Sequence, residues 1–263
     1  MPAVSRRATV LAVCAALVAA LFAVAAFAPL PFALAAPGDT VNVLGKDEGR
    51  PVITITGTPT RKTTGQLRMT AIVATGPKAT VKLGDVLDSW FDTDRAVLPR
   101  DSVYPAGDSP KEIQRHNLKD MRQSQNDAAA AALRYLHRTN DKIDIRLRLG
   151  DIGGPSAGLL FTLGIIDKLD GDGQGGDLTG GRVIAGTGTI DPDGTVGAVG
   201  GVGLKTQAAR RDGATVFLVP KEECSDASGE LPKGLRLVPV KKVDDAVTSL
   251  RALATGKGRV PSC

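Results

Sequence analysis

Ser156 stands in the run Gly153-Gly154-Pro155-Ser156-Ala157-Gly158, between an alternating apolar stretch and an unbroken apolar one. Gly154 and its neighbours let the backbone turn sharply, and Pro155 pre-sets the first residue of a helix. Ser156 then falls in the first helical turn, where free N–H groups and the helix dipole favour a developing negative charge. That is part of an oxyanion hole supplied by local geometry, and it suits an acyl-transfer nucleophile. A serine at a helix start serves equally as an N-terminal cap, and the local residues alone leave both readings open.

A nucleophilic serine needs a base. Both histidines, His116 and His137, lie on a long polar–alanine stretch upstream, with nothing beside them that directs either toward Ser156. Lys205 is placed differently. It follows Val199-Gly200-Gly201-Val202-Gly203-Leu204, with no charged residue since Asp193, at the start of an expected helix. Burial in such surroundings lowers a lysine's pKa, so that a neutral amine exists near neutral pH. The competing reading is a helix-start lysine that reaches solvent.

Other motifs fall short of chemistry. A phosphate loop needs glycine directly before its lysine, and Leu204 holds that place; Gly186-Thr187-Gly188 is not completed as a dinucleotide fingerprint. The 170–180 stretch resembles a calcium loop, but Gln174 and Gly181 stand where a third ligand and the terminal carboxylate belong, which leaves a solvated turn. Neither a cofactor nor a metal is therefore expected. A net charge of +5 with 3% aromatics offers no stacking platform, which argues against nucleic acid as a partner.

The elements that must position these groups read as α/β. Strands are expected at 40–44, 52–56, 66–74, 143–149, 182–190, 195–199, 215–219 and 235–240. Helices are expected at 81–91, 110–138, 157–169, 204–211 and 243–254. The prolines and glycine of 96–110 suggest a loop, and Asp191-Pro192-Asp193-Gly194 a tight turn.

Ahead of all this, residues 8–28 are apolar apart from Thr9, preceded by Arg6 and Arg7 and followed by no charge until Asp39. The run is long enough to cross a bilayer with the N-terminus inside and the remainder outside. A cleaved signal peptide is the alternative, with Ala33-Leu34-Ala35 as cleavage site. The expected organisation is a cytoplasmic 1–7, a plasma-membrane anchor at 8–36, an N-terminal part at 37–142, a catalytic core at 143–254 and a tail at 255–263. Cys14 sits inside the apolar run, whereas Cys224 and Cys263 are exported, where a bridge between them is permitted and favoured over free thiols.

Taken together the motifs resemble the proteolytic domain of the Lon peptidase family. Its Pro-Ser-Ala-Gly motif matches 155–158, its Gly-Gly pair and lysine match Gly200, Gly201 and Lys205, and its Thr-Gly-x-Ile stretch matches 187–190. The helix 121–136 and most of 40–250 share the likeness. It is greatest to bacterial membrane-anchored (YlbL-like) Lon-domain proteins, which share the start at 37–40 and the segment 152–158.

The resemblance implies a Lon-type fold of small mixed sheets and packed helices, and a Ser156–Lys205 dyad cleaving extracytoplasmic proteins or peptides. Thr187 is implied to hydrogen-bond near the lysine amine, and the N–H groups near Gly154–Ser156, on either side of Pro155, to receive the oxyanion. The self-chain near the anchor is a further candidate substrate, and a homo-oligomeric ring is implied for the family. Three departures stand out. Only 137–142 separates the long helix from the next strand, so the usual PDZ insert is missing. Gly153 replaces an acidic residue before the serine, with Asp151 nearby but offset. No ATPase motif is present, so activity independent of ATP is expected. A non-cleaving Lon-like scaffold is the alternative function.

Overall fold

The computed structural model describes residues 5–104, 109–149 and 154–263. Asp151 and Gly153 lie outside them.

The apolar N-terminal run forms one helix, Arg6–Phe27, with Ser5 Oγ accepting from the Ala8 N–H and no residue buried against the rest of the chain. It is long and apolar enough to span a membrane. The first strand, Phe32–Asn42, begins eight residues earlier than the sequence suggested and takes in residues grouped above with the anchor. Ala33 and Ala35 face the core while Phe32 and Leu34 lie on the other side of the strand. Because both faces of that segment carry apolar residues, its period of two is hidden in the hydropathy of the apolar run before it.

A six-stranded mixed sheet organises the body, in the order Arg236–Val240, Val216–Pro220, Val183–Gly186, Gln66–Ala74, Phe32–Asn42, Ala96–Pro99. The first four run parallel; the last two add antiparallel to one side. Ala96–Pro99 corrects the expected loop. Its register of Phe32 on Pro99 through Ala35 on Ala96 makes it an edge strand, a place that tolerates its terminal proline, and the short helix Arg100–Val103 follows. The isolated pair Ile53–Thr56 and Asp144–Leu147 forms a separate antiparallel ribbon.

Alternation in the central strands splits the core in two. Val216 and Leu218 face the larger cluster, beneath the helices Pro110–Tyr135, Gly158–Leu169 and Val243–Thr255. Phe217 and Val219 face the smaller one, beneath Val202–Arg211 and the short helix Cys224–Gly229. Helix Gly158–Leu169 is buried from Gly158 through Asp167, so the element that follows Ser156 is held rigidly from all sides.

In the calcium-like loop, the Asp172 carboxylate accepts the N–H groups of Gln174 and Gly176, and the Arg61 guanidinium donates to the carbonyls of Asp170 and Gly175. Loop and arginine close on each other. Among the described residues no cluster of three or more His, Cys, Asp or Glu side chains is placed to hold a metal.

Cys224 and Cys263 are bridged across 39 residues, with Cα atoms 5.3 Å apart. The tail is also held by Arg236, which donates to the Val260 carbonyl. In the chain-entropy view, Cys263→Ser should cost about 2–4 kcal/mol. The urea midpoint of the oxidised wild type should exceed that of the variant, and reductant should erase most of the difference.

Candidate active site

Gly154 has φ 106°, a conformation that other residues rarely adopt, and it delivers the chain into a short 3-10 turn, Pro155–Ala157, that runs on into helix Gly158–Leu169. Ser156 sits half-buried in that turn. Its carbonyl is fixed twice: it accepts the Gly188 N–H at 3.0 Å and the Thr187 hydroxyl at 3.3 Å.

Those contacts exist because the expected strand 182–190 breaks. Val183–Gly186 ends in the sheet, Thr187 still donates its N–H to the Leu218 carbonyl, and Gly188 turns out toward Ser156 before Thr189–Ile190 pairs with Val196–Gly197. Thr187 is thus fully buried at the junction.

Lys205 lies on helix Val202–Arg211, one turn after Gly201. Gly201 takes a left-handed φ of 68°, and a Cβ there would come within 3.1 Å of Ile72. The lysine is only 4% exposed, and its Nζ donates to Thr187 Oγ1 at 3.2 Å. Burial lowers its pKa to about 8, partly opposed by the nearby Glu223 carboxylate. Thr187 therefore joins the lysine amine to the backbone of the serine residue through its one hydroxyl. Ser156 and Lys205 line the same cleft of about 520 Å³, walled by Ile72, Leu98, Tyr104 and Val199.

The histidines stand elsewhere. His116 pairs with Asp120 on the exposed face of the long helix, and His137 lines a separate depression with Asp170 and Arg251. Neither borders the cleft.

Glu223 is the residue that reading the sequence missed. It sits in a 3-10 turn after strand Val216–Pro220, its Oε1 accepts the Val199 N–H at 3.0 Å, and its Oε2 is buried without a partner. Burial pushes its carboxyl pKa up, while the Val199 N–H and Lys205 pull it down. Nothing local in Lys221-Glu222-Glu223-Cys224 separates this acid from its neighbour. Only the approach of the strand end to the glycine-rich segment 198–201 does so.

A serine hydroxyl, a buried lysine poised to be neutral, a threonine tying the two together and helix-start N–H groups suit acyl transfer. Thr187→Val keeps the N–H bond to Leu218 but loses the lysine's acceptor. It should lower kcat about tenfold to a hundredfold with KM little changed, as steady-state kinetics on a peptide substrate would show.

Comparison with known proteins points the same way. Residues 108–253, more than half of the chain, match a family model described as the Lon protease C-terminal proteolytic domain. A Lon protease of Chloroflexus aggregans is 37% identical over 97 residues, covering 35% of this chain and 11% of that protein. A Lon protease of Clostridioides difficile is 39% identical over 102 residues, 38% of this chain and 12% of the relative. Lon protease 1 of Myxococcus xanthus is 33% identical over 130 residues, 47% and 15% of the two chains. The matched stretch thus spans a small part of the length of these curated relatives.

Proposed function

The chain belongs to the Lon peptidase family, whose proteolytic domain implies serine peptidase chemistry, and from that premise we propose a membrane-anchored endopeptidase with a Ser156–Lys205 dyad. The observation that carries the proposal is the buried Lys205 amine, bonded through Thr187 to the Ser156 backbone, on the wall of the cleft that Ser156 shares.

Neutral Lys205 has two N–H bonds and one lone pair. Thr187 Oγ1 accepts one N–H, which aims the lone pair, and the lone pair takes the Ser156 proton as Oγ attacks the peptide carbonyl. The carbonyl π electrons move to oxygen, where N–H groups of the Gly154–Pro155–Ser156 turn receive the charge. Collapse breaks the C–N bond, and the lysinium proton passes to the leaving amine. Water, deprotonated by the same lysine, then attacks the acyl-enzyme, the ester C–O bond breaks, and the lysinium returns the proton to Ser156 Oγ.

Arg6 and Arg7, in the first turn of the Arg6–Phe27 helix, favour an inside N-terminus and an extracytoplasmic body. The Cys224–Cys263 bridge supports an oxidising compartment. Cleavage after Ala35 is disfavoured because it would remove 32–35, the part of the first strand that pairs with 96–99. The same pairing withholds this part of the self-chain from the cleft. Extended, unfolded segments of other exported proteins remain the substrates that suit an open cleft.

The test uses the full chain in detergent or nanodiscs with an unstructured protein as substrate and a serine-directed fluorophosphonate probe. Cleavage and labelling at Ser156 are expected. A folded protein that does neither would return the chain to the scaffold reading.

A further inference from the structure

Helix Leu83–Trp90 carries its apolar residues on the wrong side for a helix of a water-soluble body. At about 100° per residue, Leu83, Leu87, Trp90 and the following Phe91 fall on one stripe, while Asp85 and Asp88 lie opposite. Yet the residue turned inward is Ser89, which is buried with its hydroxyl unpartnered. The apolar stripe is left outside: Leu87 is 50% exposed, Trp90 75% and Phe91 85%.

What lies beside that stripe is the end of the anchor. The Lys82 amine sits 6.0 Å above the centroid of the Phe27 ring, the last residue of the Arg6–Phe27 helix. Three residues on, Leu30 donates its N–H to the Val81 carbonyl at 2.8 Å and pairs with Val81 as an antiparallel bridge. The helix is therefore rooted at the level where the chain leaves the hydrocarbon. Trp and Phe are the side chains that settle at that level, with the polar face of the helix turned to water.

We propose that Leu83–Trp90 is an interfacial helix whose Leu83, Leu87, Trp90 and Phe91 enter the headgroup region of the bilayer that holds the anchor. This rests on the anchored reading of Arg6–Phe27. Five residues after Phe91 the chain enters Ala96–Pro99 and then Arg100–Val103, whose Leu98, Ser102 and Val103 wall the cleft. Seating the helix therefore holds one wall of the active-site cleft against the membrane surface. The substrates it selects are peptide segments lying near that surface.

Trp90 is the only tryptophan of the chain, so its fluorescence reports this contact directly. The full chain would be reconstituted into phosphatidylcholine vesicles containing lipids brominated either near the carbonyl end or deep in the acyl chain. Shallow bromines should quench the emission at least about twofold and deep ones less, with aqueous iodide quenching weakly. Replacing Leu87 and Phe91 with Asp should restore much of the emission and raise iodide quenching. Emission that bromine leaves unchanged overturns the proposal, whether iodide reaches Trp90 freely or a second copy of the chain shields it. Flotation separates the two readings. A chain that floats with Trp90 unquenched loses only the interfacial helix, whereas a chain that fails to float loses the anchor as well.

Discussion

Ser156→Ala is expected to lower hydrolysis of an unstructured protein by at least about a thousandfold in kcat, because the hydroxyl proposed to form the acyl bond is removed. Binding should persist, since the cleft walls are untouched, and KM should change little. Stability should not fall either. The contacts that fix this turn use the Ser156 carbonyl, which accepts from Gly188 and Thr187, and alanine keeps them. Gly154 and Pro155 set the entry geometry regardless of the side chain. A variant that binds, melts like the wild type and does not cleave or label assigns the loss to the nucleophile. Retained cleavage would move the chemistry elsewhere, and His137 in its separate depression would be the next group to test.

The features legible in the sequence were those whose cause is local. Gly154 and Pro155 announce a turn into a helix, the Gly200–Gly201 pair announces the approach to Lys205, and Pro110 with the alanine-rich centre of 110–138 announces the long helix that ends at Tyr135. What stayed hidden depends on partners distant in the chain. The segment 32–36 has no polar face, so only its pairing with 73, 74 and 96–99 makes it a strand rather than a continuation of the apolar run. Ala96–Pro99 looks like loop because a proline ends it and Pro105, Gly107 and Pro110 follow, and it is an edge strand because Phe32–Ala35 offers a free side.

The site divides in the same way. Thr187 reached the candidate site through family resemblance, whereas its physical reason is a strand break that no local propensity dictates. Glu223 had no signal, since a carboxylate becomes significant there only through the burial and the lysine that the fold brings to it.

That carboxylate provides the sharpest test of the base. If Lys205 must be neutral to act, kcat/KM should rise about tenfold per pH unit below its pKa and level off above about 8. Glu223 favours the charged ammonium and so holds that pKa up against the larger effect of burial. Glu223→Gln keeps an oxygen for the Val199 N–H but removes the charge, so Lys205 should lose its proton more easily and the rising limb should move to lower pH. A merely structural role for Glu223 would change the plateau and leave the limb where it was, and that outcome would remove Glu223 from control of the base.

The same depressed pKa has a consequence for stability with a definite sign. Between about 8 and the ordinary 10.5 the unfolded chain binds more protons than the folded one, so stability rises with pH across that window and the full cost is present below it. The depression corresponds to at most about 3 kcal/mol. Lys205→Met removes the buried charge while filling a similar volume, so it should abolish cleavage and raise the melting temperature at pH 7, with the gain shrinking toward pH 10. Loss of activity with gain of stability is what a lysine kept buried for chemistry produces; a lysine that merely reached solvent would give neither.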